Sequence, residues 1–423
     1  MVSTHKNIVK FFLISILSSI IIGFFTGVLC SLFGNVLLWV VNLHSAHVKY
    51  LLPFMFVAGS TVVIIRSKFL YRNVLGEAFK ICHTNREVKN ISPWYLPFII
   101  CGTWLCHLVG ASVGREGVAM QIGSTTADIV SVPFSKYLSD DLKIKLRKVL
   151  IASGIAAGFS GLFHVPIAAS FFAFELFSAQ CTFLYAILPA FISSFTAYIT
   201  SSSLWLHKFE AHIANTSSFS GILMLKFIVF GLACSCVGFI FSFALKFLRK
   251  VFDHFLPNLL IRVLIGSFFL SITLWIAFSG RYNGLGTNLI LNIFTSSQPH
   301  IYWFDWLLKI IFTALCLTVG FFGGEVTPIF TIGACFGFWF APIVGITPLV
   351  GAALGYVSVF ASCTNTLFAP IFIALEIFGF NIFWYAIPVV FIAFITNFDY
   401  SIYSSFLDSK GIKNRIWRYL RHL

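Results

Sequence analysis

Charged residues are scarce in this sequence. Only 10% of its 423 residues are Asp, Glu, Lys or Arg, and just 14 of them are acidic. Soluble globular domains carry roughly 25% charged residues, because a surface facing water needs them. Long polar stretches are also missing: 66–93, 136–148 and the carboxyl-terminal tail are the longest, and none is long enough to bury a core. The composition excludes a soluble enzyme or a soluble regulatory domain.

Apolar residues take the place of the missing charges. They make up 59% of the chain, which contains 52 phenylalanines. A membrane-spanning helix needs about 20 predominantly apolar residues, and many segments approach or exceed that length. These runs lie near 11–41, 51–65, 94–113, 117–135, 149–178, 182–204, 219–247, 258–279, 304–322, 327–345, 347–363, 366–380 and 382–398. The sequence predicts an all-α integral membrane protein with one multi-pass membrane domain over 1–423.

The net charge of +14 would suggest nucleic acid as a partner of a soluble chain. Here the basic residues collect in loops and at the ends, so no nucleic acid is expected. The tail 409–423 contains five Lys and Arg residues and no acid after Asp408. By the positive-inside tendency this tail is cytoplasmic, and Lys6 and Lys10 indicate the same for the amino terminus. We expect a cell-membrane protein with both termini cytoplasmic and an even number of crossings.

The 10 cysteines are scattered, and most lie inside apolar runs, where cysteine behaves as a small hydrophobe. None shows zinc-type spacing. We therefore expect no metal, no cofactor and no disulfide.

Two pairs of segments indicate an internal repeat. "GREGVAMQIG" at 114–123 corresponds to "GGEVTPIFTIG" at 323–333, and both open an apolar helix after glycines. About fifty residues later, "FHVPIAASFFAFELF" (163–177) corresponds to "LFAPIFIALEIF" (367–378), each with a single glutamate after its apolar run. Glycine-interrupted segments at matching places in two halves are typical of transporters with broken helices.

The predicted repeats cover about 1–210 and 211–408. A helix that begins inside the membrane leaves its first N–H groups unpaired, so it must line a cavity or face a ligand. Those N–H groups and the positive end of the helix dipole attract anions. Two such helix starts, one in each repeat, indicate a pathway for an anion.

These segments resemble the motifs of the CLC family of chloride channels and anion/proton antiporters. "GREGVAMQIG" is similar to the GREGP motif, and "GGEVTPIFTIGACFG" to the GxFxP motif with Pro328 in register. "AAGFSGLFHVPIAASFFAFEL", "RYNGLGTNLI" and "DYSIYSSFL" are similar to three further family segments, in the family's order. The resemblance implies an inverted-repeat bundle of tilted and broken helices that assembles as a homodimer.

The departures from the common pattern resemble the fluoride-exporting CLC-F branch. Glu325, Val326 and Thr327 replace the residues usual in chloride-type members, and "YRNVLGEAFK" stands where the GSGIP segment is expected. Leu176 stands where chloride antiporters of the family keep a second, proton-transferring glutamate. The resemblance therefore implies a fluoride/proton antiporter and not an enzyme. A chloride/proton antiporter or an uncoupled chloride channel on the same fold is the alternative.

The resemblance also implies the site. Glu116 would be the gating and proton-carrying glutamate, although a salt bridge with its neighbour Arg115 is the simpler alternative. The residues expected to bind the anion are Asn73, Phe79, Gly114, Arg115, Gly117, Glu325, Val326, Thr327 and Tyr403. Among these, Asn73 and Phe79 depend on a looser match, because a turn asparagine and a packing phenylalanine are common.

Orientation gives the first prediction. If the basic tail is cytoplasmic, a cysteine replacing Ser409 will not react with a membrane-impermeant thiol reagent added outside intact cells. Permeabilised cells serve as the control, in which the same cysteine should be labelled. Labelling in intact cells would refute the predicted orientation.

Overall fold

The protein is described by a computed structural model that covers residues 2–69, 74–84, 89–177, 185–207, 209–213, 220–276, 278–398 and 400–403. These residues form a helical bundle. The helices of the first half are α1 (Val2–Ala46), α2 (Val48–Leu51), α3 (Met55–Phe69), α4 (Val74–His83), α5 (Tyr95–Leu108), α6 (Glu116–Ser135), α7 (Asp140–Phe163), α8 (Pro166–Phe177) and α9 (Ile187–Ser203). Those of the second half are α10 (Gly221–Phe255), α11 (Leu259–Ile276), α12 (Thr287–Thr295), α13 (Asp305–Val319), α14 (Val326–Val344), α15 (Pro348–Thr364), α16 (Phe368–Ile373) and α17 (Phe380–Ile395).

Several helices are long and apolar enough to cross a membrane. Six such spans occur in the described part of the chain: Asn7–Ala46, Val48–Lys68, Asp140–Phe163, Gly221–Phe255, Leu259–Ile276 and Val326–Val344. Shorter apolar helices accompany them, among them α5, α8, α15 and α17. The prediction of an all-α integral membrane protein is confirmed.

Glycines set the closest helix crossing in the first half. A Cβ added to Gly123 of α6 would lie 1.8 Å from the carbonyl oxygen of Gly154 of α7, and one added to Gly154 would lie 2.2 Å from the carbonyl oxygen of Gly123. Small residues let helix backbones approach in this way, and the approach maximises van der Waals contact where burial from water supplies no driving force. Glycine is therefore required at this crossing.

The second half repeats this crossing. A Cβ on Gly333 of α14 would lie 2.3 Å from the carbonyl oxygen of Gly355 of α15, and one on Gly355 would lie 2.2 Å from the carbonyl oxygen of Gly333. The helix that follows the GREG motif and the helix that follows the GGE motif thus pack on their next neighbours by the same device. The repeat seen in the sequence has a matching repeat in the packing.

Two glutamates, the buried Glu175 and the partly buried Glu376, join the halves to each other. The carboxylate of Glu175, near the end of α8, accepts from the backbone N–H groups of Leu367, Phe368 (2.9 Å) and Ala369 (2.9 Å) at the start of α16. Leu367 begins the short apolar segment that carries the second glutamate of the repeat pattern. The carboxylate thus satisfies three N–H groups at a helix start that lipid could not satisfy.

Glu376 makes the reciprocal contact. Its two carboxylate oxygens accept from the N–H groups of Ile167 (3.0 Å) and Ala168 (2.9 Å) in the first turn of α8. Each of the two glutamates therefore caps the corresponding helix of the other half. Sequence position alone shows that a glutamate follows each helix start, but not which start it reaches.

The glycine crossings predict a large cost of substitution. Gly154→Val and Gly355→Val should each destabilise the folded protein by at least about 2 kcal/mol, because the added carbons overlap a carbonyl that cannot retreat. Gly221→Val is the matched control, since a Cβ at Gly221 meets nothing within 4 Å. Thermal unfolding in mild detergent measures the difference. Equal melting temperatures for the control and the two crossing variants would contradict the packing.

Candidate functional site

The starts of α6 and α14 meet inside the bundle. Gly114 and Gly324, which precede these two helices, form an isolated antiparallel bridge, and the N–H of Gly324 donates to the carbonyl of Gly114 over 2.8 Å. A Cβ on Gly114 would lie 2.8 Å from the oxygen of Gly324 and 2.9 Å from Cδ of Pro328. No larger residue fits at Gly114. The bridge also uses the Gly114 N–H, so in this conformation that amide does not face an anion as expected.

Glu116 is fully buried, and its carboxylate spans the junction between the two helix starts. Oε2 accepts from the backbone N–H of Arg115 over 3.1 Å and from the backbone N–H of Thr327 over 2.9 Å. Oε1 accepts from the Thr327 hydroxyl. The donors at the start of α14 that the sequence assigns to an anion thus hold a carboxylate, which is itself an anion.

The Arg115 side chain lies alongside this carboxylate. Its Nε is 3.6 Å from Oε1 of Glu116, and the side chain is 13% exposed. Nε and Nη1 are buried without a hydrogen-bond partner among the described residues. The expected alternative, an Arg115–Glu116 salt bridge, is therefore present but loose. Buried guanidinium donors without partners are costly, which favours an additional anion beside them.

Phe79 and Tyr403 lie next to each other. Both are buried, and their ring centroids are 6.2 Å apart. The Tyr403 hydroxyl has no hydrogen-bond partner among the residues that the structure describes. T-shaped and tilted ring contacts through Phe172, Phe360 and Phe330 connect Tyr403 to α14 one turn beyond Thr327. The unpaired phenol in this apolar lining is suited to donate to an ion.

Glu325 immediately precedes α14, and its side chain makes no hydrogen bond to the first turn of that helix. Its carboxylate lies 3.6 Å from Nη2 of Arg249 on α10, and its side chain is 22% exposed. Both residues line a cavity of about 180 Å³ together with Arg66 and Gln121. Glu325 thus belongs to the open side of the junction, whereas Glu116 belongs to its closed interior.

The structure brings most of the predicted residues to one place. Gly114, Arg115, Glu116, Gly117 and the segment Glu325–Thr327 surround the two helix starts. A Cβ on Gly117 would lie 3.2 Å from Cα of Gly324, and Val326 is fully buried. Asn73 lies outside the described residues.

Sequence reasoning missed Lys309 on α13. Its ammonium is completely buried and donates to Ser112 Oγ (2.9 Å), the carbonyl of Tyr282 (3.1 Å) and the carbonyl of Gly284 (2.8 Å). These three acceptors match the three donors of an ammonium. Lys309 thereby connects the loop before Glu116 to the "RYNGLG" loop. A lysine inside the apolar run 304–322 was the available signal, because charges in such runs are expensive.

The family comparison agrees with this arrangement. The profile described as "Voltage gated chloride channel" matches residues 75–397, which include both helix starts and both capping glutamates. A chloride/fluoride channel protein of Pseudomonas syringae pv. tomato is 31% identical over 300 residues, which cover 69% of this chain and 64% of that protein. An H⁺/Cl⁻ exchange transporter of Salmonella arizonae is 24% identical over 354 residues, 76% of this chain and 70% of that protein.

Solved structures share the fold. The crystal structure of a CLC-type fluoride/proton antiporter superposes with a TM-score of 0.85 at 39% identity, covering 92% of this chain and 96% of that one. A slow cyanobacterial Cl⁻/H⁺ antiporter superposes with a TM-score of 0.74 at 17% identity over 96% of this chain and 98% of that one, a likeness of fold alone. With the helix starts, the glycine crossings and the profile match in agreement, the protein belongs to the voltage gated chloride channel (CLC) family.

Proposed function

We propose that the protein is a fluoride/proton antiporter that exports fluoride in exchange for protons, with Glu116 as the group that both blocks the pathway and carries the proton. The observation that carries the proposal is the position of the Glu116 carboxylate. It accepts from the backbone N–H of Thr327 at 2.9 Å and from the Thr327 hydroxyl, at a helix start suited to an anion.

Exchange follows from the chemistry of a carboxylate in that position. While Glu116 is ionised, it saturates the Thr327 donors and excludes other anions. Protonation removes its charge and one of its acceptor sites, so its hold on two N–H groups and a hydroxyl weakens. An incoming anion then accepts from the same donors, and Glu116 leaves with its proton. Anion and proton thus compete for one site and move in opposite directions.

Fluoride suits the donors around this junction better than a larger halide does. A small, strongly hydrated anion loses much hydration energy on burial, so it needs strong donors in return. The Thr327 hydroxyl, the unpaired Tyr403 hydroxyl and the unpaired N–H groups of Arg115 are such donors. The Phe79 ring beside Tyr403 offers a positively polarised edge. The solved structure at 39% identity is described as that of a fluoride/proton antiporter.

Chloride/proton exchange is the second candidate. The Salmonella arizonae relative at 24% identity is an H⁺/Cl⁻ exchange transporter, so the fold is compatible with chloride. A chloride site needs fewer and weaker hydrogen-bond donors than a fluoride site. Glu325 and Thr327 would then have no specific role in binding the anion. An uncoupled chloride channel is the third alternative, and it predicts anion flow without proton movement.

The proposal includes the setting of the protein. The chain would form one membrane domain of two inverted repeats, about 1–210 and 211–408, in the cell membrane with both termini cytoplasmic. The basic tail 409–423, which lies outside the described residues, supports that orientation by its charge. We also propose a homodimer in which each subunit has its own pathway. A monomer mass in mild detergent would contradict the dimer.

Anion selectivity tests the substrate. Purified protein is reconstituted into liposomes loaded with fluoride or with chloride, and release is followed with ion-selective electrodes. We expect fluoride to leave at least about tenfold faster, because a hard donor set separates the two ions by more than 1.4 kcal/mol in the transport barrier. Protein-free liposomes give the leak. Equal rates, or faster chloride release, would contradict fluoride export and favour chloride/proton exchange.

Proton coupling tests the role of Glu116. Glu116→Gln keeps the shape of the side chain but cannot ionise, so fluoride-driven proton movement should fall to the rate of protein-free liposomes. Glu210→Gln is the control, since Glu210 is an exposed carboxylate beside His212, 3.3 Å away. A pH electrode outside fluoride-loaded liposomes measures the proton flux. If Glu116→Gln still exchanges protons for fluoride at the original ratio, the carboxylate is only an ion-pair partner of Arg115 and the proposed mechanism is wrong.

A further inference from the structure

A cavity lies beside Glu325, outside the junction that holds Glu116. The cavity of about 180 Å³ is bounded by Arg66 from α3, Gln121 from α6, Arg249 from α10 and Glu325. It is open to solvent: the Arg249 side chain is 46% exposed and that of Glu325 is 22% exposed. The cavity therefore connects the surroundings of the protein to the start of α14.

Positive charge dominates this cavity. Arg66 has no hydrogen bond or ion pair with the residues that the structure describes, and Arg249 contacts Glu325 only at 3.6 Å, beyond hydrogen-bond length. The neighbouring Arg262 behaves differently, because Asp253 accepts from it at 2.7 Å and the carbonyl of Leu256 at 2.9 Å. Two guanidinium groups and one carboxylate thus leave a net positive charge with unused donors around an empty space.

We propose that this cavity binds a small inorganic anion with part of its hydration shell, as a receiving site next to Glu325. The inference rests on the proposed anion transport and adds a second site to it. A water molecule occupies roughly 30 Å³, so the cavity has room for about six waters or an anion with most of its first shell. Guanidinium groups are weakly hydrated and donate readily to anions.

The receiving site concentrates anions without selecting among them. Selection requires that the ion lose its water against close donors, and this cavity is too open to remove that water. A positively charged cleft instead raises the local anion concentration. An anion that binds Arg249 also replaces Glu325 at little cost, because the 3.6 Å contact is not a hydrogen bond. Discrimination between halides is left to the junction at Thr327.

Charge-neutral variants test the site. Arg66→Gln and Arg249→Gln should each raise the KM for fluoride about threefold to tenfold at low ionic strength, since one cation near a binding site contributes on that scale. The maximal rate and the ratio of fluoride to chloride transport should stay unchanged. The rise in KM should shrink as inert salt is added. Arg249→Lys, which keeps the charge, should keep KM within about twofold of the wild-type value.

Lys250→Gln is the matched control, because Lys250 is an exposed neighbour of Arg249 that does not line the cavity. An equal rise in KM for Lys250→Gln would overturn the site in favour of a general surface potential. A changed fluoride-to-chloride ratio in Arg249→Gln would also overturn it, since that residue would then take part in selection. Thermal unfolding of each variant excludes misfolding as the cause.

Equilibrium binding separates this inference from the proposed function. Line broadening of ³⁵Cl NMR by the detergent-solubilised full chain reports bound chloride whether or not fluoride is transported. Less broadening in Arg249→Gln than in Lys250→Gln supports the site, even if wild-type liposomes fail to release fluoride. Unchanged broadening together with an unchanged KM in Arg249→Gln overturns the site, even if fluoride export stands.

Discussion

Two helices begin in the interior of this membrane protein, and the rest of the structure depends on how their free N–H groups are satisfied. Lipid offers no hydrogen bonds, so each unpaired group would cost several kcal/mol. At α6 and α14 the backbone is satisfied by the Gly114–Gly324 bridge and by the Glu116 carboxylate, which accepts from the Thr327 N–H. A carboxylate that meets this need can be replaced by another anion. The structural requirement and the proposed transport site are therefore the same set of donors.

Carboxylates also satisfy the N–H groups at two other helix starts in the bundle. Glu175 caps the start of α16 and Glu376 caps the start of α8, so each half supplies the acceptor that the other half needs. These carboxylates are far from the junction along the chain and bind backbone groups of helices that already pack together. Glu116 differs in its surroundings, because the Arg115 guanidinium beside it has donors without a partner among the described residues. A carboxylate at a helix start can thus serve either to hold two helices together or, in the proposed mechanism, to be exchanged for an anion.

Cations surround the junction on two sides. Lys309 is enclosed by three neutral oxygens and ties the loop before Glu116 to a loop of the second half. Arg249 faces an open cavity and contacts Glu325 only loosely. The buried ammonium is fixed by its hydrogen bonds, whereas the guanidinium is free to change partner. The first suits a positioning role and the second suits the reception of anions.

The sequence by itself determined the class of protein and predicted where the candidate site lies along the chain. Apolar runs, glycines before Glu116 and before Val326, and the recurrence of Pro followed by a single glutamate are local features, and each depends on the need to satisfy backbone groups in lipid. Only the tertiary structure decided which groups meet. Glu175 reaches the opposite half, Glu325 turns to Arg249 and Lys309 reaches the loop before Glu116, because helix packing brings together residues more than seventy positions apart. No local pattern encodes those partners.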